Sequence, residues 1–217
     1  MKSTQSIHKT LNILYKEYPD AKCSLVFANI WQLLVATMLS AQTKDVNVNK
    51  VTAVLFNKYA SLNDLAKAHE KDIAKVIFSL GLYKTKARNI KRAAIYLQEK
   101  FNGNVPDSID ELIKTPGVAR KTANVVMTEG FKKPQGIAVD THVRRIANRL
   151  GWVNSDYPKK IEKDLLSKVG KKYWQNFTNV MISHGRKICK SQKPLCEKCS
   201  IKEYCKYYLE TKQSKSS

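Results

Sequence analysis

The 217-residue chain carries 39 Lys and Arg against 18 Asp and Glu, a formal charge of +21, and 43% of its residues are hydrophobic. That composition excludes a disordered or collagen-like chain, and apolar runs of five residues at most exclude a membrane helix, which needs roughly 20. So large a positive excess strains a compact fold through self-repulsion, and its usual counterpart is a polyanion, nucleic acid before a basic membrane face. The N-terminus holds no signal-type apolar stretch. A soluble, cytoplasmic chain with no membrane partner is expected, nucleoid-associated in a bacterium.

Few Gly and Pro, and apolar residues at helical spacing, predict an all-α chain of about ten helices. Helices are expected over residues 5–17, 28–41 and 45–59. Ser61 is placed to cap a helix through Ala68, and a further helix is expected from Glu70 to Leu80, closed by Gly81. Residues 84–102 are amphipathic, with Ile90, Ala94 and Leu97 on one face and Lys84, Lys86, Arg88, Lys91 and Arg92 mostly exposed. Ser108-Ile-Asp-Glu111 fits a capping box. Pro116-Gly117 signals a turn before a helix over 119–129. Asp140 is placed to cap a helix that Gly151 ends, and helices near 157–168 and 171–187 follow. Thr211–Ser217 is a frayed tail.

Four of the five cysteines lie within 17 residues: Cys189, Cys196, Cys199 and Cys205, spaced C-x6-C-x2-C-x5-C. In a reducing compartment such clustering points to metal before disulfides, and thiolates suit zinc or iron–sulfur. Spacing alone leaves both open; the single C-x-x-C pair tilts towards iron–sulfur. Lys190, Lys193 and their basic neighbours give the loop a phosphate-facing character. Cys23 reads as a small buried hydrophobe.

Residues 107–130 read as helix, tight turn and helix. Gly117 permits close backbone approach, and the amides opening the second helix form an anion site that reads no sequence; an ordinary αα-corner is the plainer alternative. Lys121 falls in the first turn of that helix. The positive helix end and Arg120 both disfavour an ammonium there, which suits Schiff-base chemistry, although a phosphate-binding lysine fits the same position. Asp140 reads first as an N-cap, a role compatible with stabilising positive charge on a sugar.

Leu39-Ser-Ala-Gln-Thr-Lys-Asp45, Gly81-Leu-Tyr83, Pro116-Gly-Val-Ala-Arg-Lys-Thr-Ala123, Val139-Asp-Thr-His-Val143, His184-Gly-Arg186 and the cysteine spacing occur in one order. Together they make the chain resemble the endonuclease III family, bifunctional DNA glycosylases and abasic-site lyases of the helix-hairpin-helix superfamily, over residues 5–208. The resemblance implies two α domains: a six-helix barrel over 23–132 that holds the hairpin, and a second domain of 1–22 plus 133–217 that holds the cysteine loop, 189–205. The active cleft would lie between them, with Lys121 and Asp140 on its lips. One 4Fe–4S cluster would sit on Cys189, Cys196, Cys199 and Cys205. The partner implied is double-stranded DNA carrying damaged pyrimidines or abasic sites, met by a monomer.

By the same resemblance Gln42 and Leu82 fill the gap left by a flipped nucleotide. The hairpin residues Gly117, Val118, Ala119 and Arg120, together with His142, Lys190 and Lys193, contact DNA. Lys121 attacks C1′ and Asp140 assists, with strand cleavage by β-elimination. The chain departs from the family's Leu-Pro-Gly-Val-Gly hairpin at Thr115 and Ala119. Thr115 is expected to weaken hairpin packing. A positive φ at Ala119 would add strain of about 1 kcal/mol, so that Ala119→Gly would bind DNA more tightly. Rival readings are an adenine-mismatch glycosylase, disfavoured by Lys121 and by the chain ending soon after Cys205, a mismatch-directed uracil or thymine glycosylase, and a non-catalytic DNA-binding iron–sulfur protein.

Overall fold

The computed structural model describes residues 3–213, and among them secondary structure is helical. Contacts divide the chain into two compact units, Ser24–Gln135 and Met1–Cys23 with Gly136–Ser217.

The first unit contains α2 (Ile30–Leu39), α3 (Asp45–Lys58), α4 (Leu62–Lys67), α5 (Glu70–Val76), α6 (Tyr83–Phe101), α7 (Ile109–Leu112) and α8 (Arg120–Val125). α2 starts at Asn29, whose side-chain oxygen accepts from the Gln32 amide at 3.1 Å. Seven of its ten residues are buried, as its apolar sequence demands. Ser61 and Asp64 cap α4 reciprocally, at 3.1 and 2.9 Å, so two orphan amides are satisfied at once. Ile90, Ala93, Ala94 and Leu97 on α6 face Leu65 of α4 and Ile73 of α5 in the core. Each such large aliphatic chain contributes about 1.5–3 kcal/mol on burial.

Two local expectations fail here. α5 ends at Val76 rather than Leu80, and Gly81 does not close it: the left-handed residue is Leu82, at φ 59°. Ser108 makes no side-chain cap to α7, and the Glu111 carboxylate accepts from Lys114 at 2.7 Å. The helix expected over 119–129 is present, as α8 continued without a break by a π turn, Val126–Gly130.

The second unit contains α1 (Thr4–Glu17), α9 (Thr141–Arg149), α10 (Pro158–Leu166), α11 (Phe177–Lys187) and α12 (Lys206–Gln213). Its core joins Ile7, Leu11 and Leu14 of α1 to Val143 and Ile146 of α9, Ile161 and Leu165 of α10, and Phe177 and Val180 of α11. Trp152 packs on Phe177 with ring centroids 6.4 Å apart. Gly151, at φ 74°, ends α9 as expected: its amide reaches Asn148 O and that of Trp152 reaches Ala147 O, both at 2.9 Å. The single helix expected over 171–187 is a 3₁₀ turn, Lys171–Tyr173, followed by α11. The Trp174 indole donates to Val169 O at 2.8 Å between them. α12 occupies part of the expected tail; residues 214–217 lie outside the described residues.

Candidate functional site

Thr115-Pro-Gly-Val118 forms the hairpin's turn. The Val118 amide donates to Thr115 O at 3.0 Å with Gly117 at φ 78°, the conformation of a type II turn with Pro before a left-handed Gly. Gly117 is needed for a second reason. A Cβ there would lie 2.8 Å from Asn89 Cβ and 3.1 Å from Met38 Cε, so the missing side chain is the space that α6 and α2 occupy. Gly117 is exposed, and the Val118 side chain is buried while its amide belongs to the turn. Ala119 has φ −89°, ordinary extended backbone, and the anticipated strain is absent. Ala119, Arg120 and Lys121 are exposed. The first intrahelical bond runs from the Ala123 amide to Ala119 O at 3.0 Å; the amides of Lys121 and Thr122, in the first turn, have no acceptor within the helix.

Four exposed non-glycine residues in the same unit hold left-handed backbone: Gln42 at φ 54°, Leu82 at φ 59°, Asn102 at φ 50° and Lys132 at φ 57°. Leu82 is 62% exposed, so it is no core leucine. Non-glycine residues pay on the order of 1–2 kcal/mol for this conformation, and such strain gathers at working sites. Lys86, expected exposed, is 7% exposed, and its Nζ donates to Thr43 Oγ1 at 2.7 Å. Burial lowers its pKa. Its place was legible, since Lys86 stands four residues before Ile90 on the buried stripe of α6.

In the second unit Asp140 is half-buried and caps α9, its Oδ1 accepting from the Val143 amide at 2.8 Å. The cap holds the carboxylate in one orientation while leaving Oδ2 outside that bond. His142 packs against Gly185 of α11, where a Cβ would collide with its ring, and meets Arg145 Nη2 at 3.1 Å. Burial lowers the His142 pKa; Arg145 and Arg186 also lower it, and Asp140 opposes them. At neutral pH it is a neutral, half-buried ring.

Arg145 and Arg149, whose role the sequence left undecided, grip the segment after α11. Arg145 donates twice to Cys189 O, at 3.1 and 2.9 Å. Arg149 donates to Lys190 O at 2.6 Å and Ser191 O at 2.9 Å, and lies over the Tyr207 ring at 4.9 Å. The loop is thereby fixed with Lys190 and Lys193 exposed, Lys193 at φ 46°.

Cys189, Cys196, Cys199 and Cys205 are half-buried and line one apolar pocket together with Ile146, Leu150, Ile188 and Ile201. Arg149 Nη1 stands 3.4 Å from Cys189 Sγ. Burial pushes the Cys199 thiol up to about 11 and raises Cys196 and Cys205. His184, missed as a site residue, is buried with Nδ1 3.2 Å from the Tyr18 hydroxyl and Nε2 3.8 Å from Cys199 Sγ; burial pushes its pKa down to about 4. Among the described residues, no three or more His, Cys, Asp or Glu side chains converge on a single metal ion. Four thiols round one apolar pocket suit a thiolate-bound zinc or iron–sulfur group.

No described helix is long and apolar enough to cross a membrane. The HhH-GPD superfamily base excision DNA repair profile matches residues 35–171. An endonuclease III of Synechocystis sp. is 45% identical over 201 residues, 93% of this chain and 92% of that protein. One of Thermotoga maritima is 45% identical over 82% of this chain and 83% of that protein. A solved trapped endonuclease III–DNA covalent intermediate superposes with TM-score 0.92 at 42% identity, covering 98% of this chain and all of that one. With its turn, capped aspartate and cysteine cavity in that frame, the chain belongs to the HhH-GPD superfamily of base excision DNA repair proteins.

Proposed function

We propose that the protein is a base excision repair DNA glycosylase and abasic-site lyase of the endonuclease III type, acting on damaged pyrimidines in duplex DNA as a monomer. The observation that carries this reading is the coexistence of an exposed Lys121 in the first helical turn after the hairpin with an aspartate held in one orientation by its own cap. Family membership makes it a base excision repair protein, and similarity to endonuclease III over nearly whole chains supports glycosylase and lyase chemistry.

The two units then correspond to the barrel and cluster domains of the family. The target base must leave the stack, at a cost of a few kcal/mol. Gln42 and Leu82, exposed on strained turns, fill the space it vacates. Lys121 Nζ attacks C1′ and the N-glycosidic electron pair departs with the damaged base. Asp140 takes up a lysine proton and stabilises positive charge on the sugar. Breaking of the C1′–O4′ bond, with a proton going to O4′, opens the sugar ring and leaves a Schiff base, which acidifies the C2′ proton; its removal expels the 3′ phosphate and breaks the strand. Amides of the hairpin helix, Arg120, Lys190 and Lys193 hold phosphates without reading sequence. Cys189, Cys196, Cys199 and Cys205 hold a 4Fe–4S cluster, which supplies a structural tie for the basic loop.

The test is borohydride trapping on a duplex with one thymine glycol. Wild type should form a covalent adduct and Lys121→Gln should not, while still binding the lesion. Trapping by Lys121→Gln would remove this lysine from the mechanism. Iron and sulfide analysis of purified protein tests the cluster, and a colourless, zinc-loaded protein would refute it.

A further inference from the structure

We propose that Lys86 is a positioning residue that locks Gln42 and Leu82 together as a single two-part wedge. The inference rests on the reading of those two residues as the groups that fill the gap beside an extruded nucleotide.

The connection is short and runs through Thr43. Lys86 Nζ donates to Thr43 Oγ1 at 2.7 Å, and that hydroxyl stands 3.3 Å from Ala41 O, to which it donates. The chain of bonds therefore straddles Gln42. The Thr43 amide closes the same turn onto Ser40 O at 3.1 Å. At the other end, the Lys86 amide donates to Leu82 O at 3.0 Å, which makes Lys86 the residue that first engages the left-handed start of α6. One residue thus bonds both to Thr43, beside Gln42, and to Leu82, 40 positions further along the chain than Gln42.

The environment strengthens the link. Lys86 is 7% exposed, it has no ion-pair partner among the described residues, and burial is the one cause that moves its pKa. A hydrogen bond from an ammonium in such surroundings is stronger than a neutral one, and it polarises the next bond in the chain. A left-handed Gln42 and Leu82 need such support, because each backbone alone gains by returning to the α or β region.

The experiment compares Thr43→Val, Lys86→Met and Thr43→Ser with wild type. Single-turnover base release is measured on thymine glycol in a fully paired duplex and on the same lesion in a short unpaired bubble. The 2-aminopurine signal of a neighbouring base reports unstacking, and thermal unfolding is recorded for each variant. Losing the charge-assisted bond should slow release from the paired duplex about tenfold and weaken the 2-aminopurine rise. Release from the bubble, where no stacking has to be opened, should match wild type. Thr43→Ser, which keeps the hydroxyl, should restore the paired rate. Equal slowing on both substrates would overturn the proposal in favour of a general structural role, and so would wild-type rates from Thr43→Val on both. Failure of wild type itself to release base from the paired lesion would instead sink the underlying wedge reading.

Discussion

Replacing Thr115 by Val should stabilise the protein. Thr115 is 1% exposed, and its Oγ1 has no hydrogen-bond partner. In the unfolded chain that hydroxyl is bonded to water, so folding strips it without compensation, at a cost of about 1–3 kcal/mol. Val matches Thr in shape, so the exchange opens no cavity and forces no new rotamer. It also keeps the β-branch, which suits the extended backbone that Pro116 imposes on its predecessor. The turn's own bond, from the Val118 amide to Thr115 O, involves only backbone and survives. The expected gain is about 1 kcal/mol, at the low end because a hydroxyl rotor relaxes more readily than a fixed group. For a chain of this size each kcal/mol moves Tm by roughly 2–4 °C. Urea unfolding followed by circular dichroism would give the free energy, provided the two units melt together. A Val variant equal to or less stable than wild type would show that the hydroxyl is satisfied and refute the reasoning. Thr115→Ser supplies the control, since it retains the polar atom and loses a buried methyl; it should be destabilised by about 1 kcal/mol.

Gly117→Ala combines left-handed backbone with a Cβ 2.8 Å from Asn89, so a loss of about 2–4 kcal/mol is expected in the same denaturation assay; a loss below 1 kcal/mol would mean that the turn shifts freely. Asp140→Asn should keep the α9 cap and hence Tm, while Asp140→Ala should cost about 1 kcal/mol. Both should slow single-turnover base release, and an Asn variant with the wild-type rate would leave Asp140 only its cap. Because folding depresses the His142 pKa below the usual 6.5, the folded chain binds fewer protons there than the unfolded chain on the acid side. Its stabilising effect is intact above about 6.5 and is lost as pH falls through the folded value. The Tm of His142→Gln should therefore fall less steeply than that of wild type below pH 6.5, and parallel curves would discount the histidine. Lys190→Ala and Lys193→Ala should each reduce the salt slope of DNA binding by about one unit, if each meets one phosphate; an unchanged slope would leave these side chains to solvent.

The features that were legible in the chain are those whose partners lie within four residues. Ser61 with Asp64, Asp140 with Val143, Pro116 with Gly117, and the left-handed Gly151 after α9 are all decided by backbone bonds over one turn. The grouping of four cysteines within 17 residues brought them to one cavity for a related reason, since a segment that short has little choice of where to return. What local rules missed depends on distant neighbours. Gly81 had the freedom to end α5, yet the approach of α5 to α6 placed the left-handed bend at Leu82. Arg145 and Arg149 could have faced a polyanion, but the carbonyls leaving α11 claimed them. Hydrogen-bonding capacity is written in each residue, whereas which acceptor is near enough to use it is settled only when segments far apart in the chain pack together.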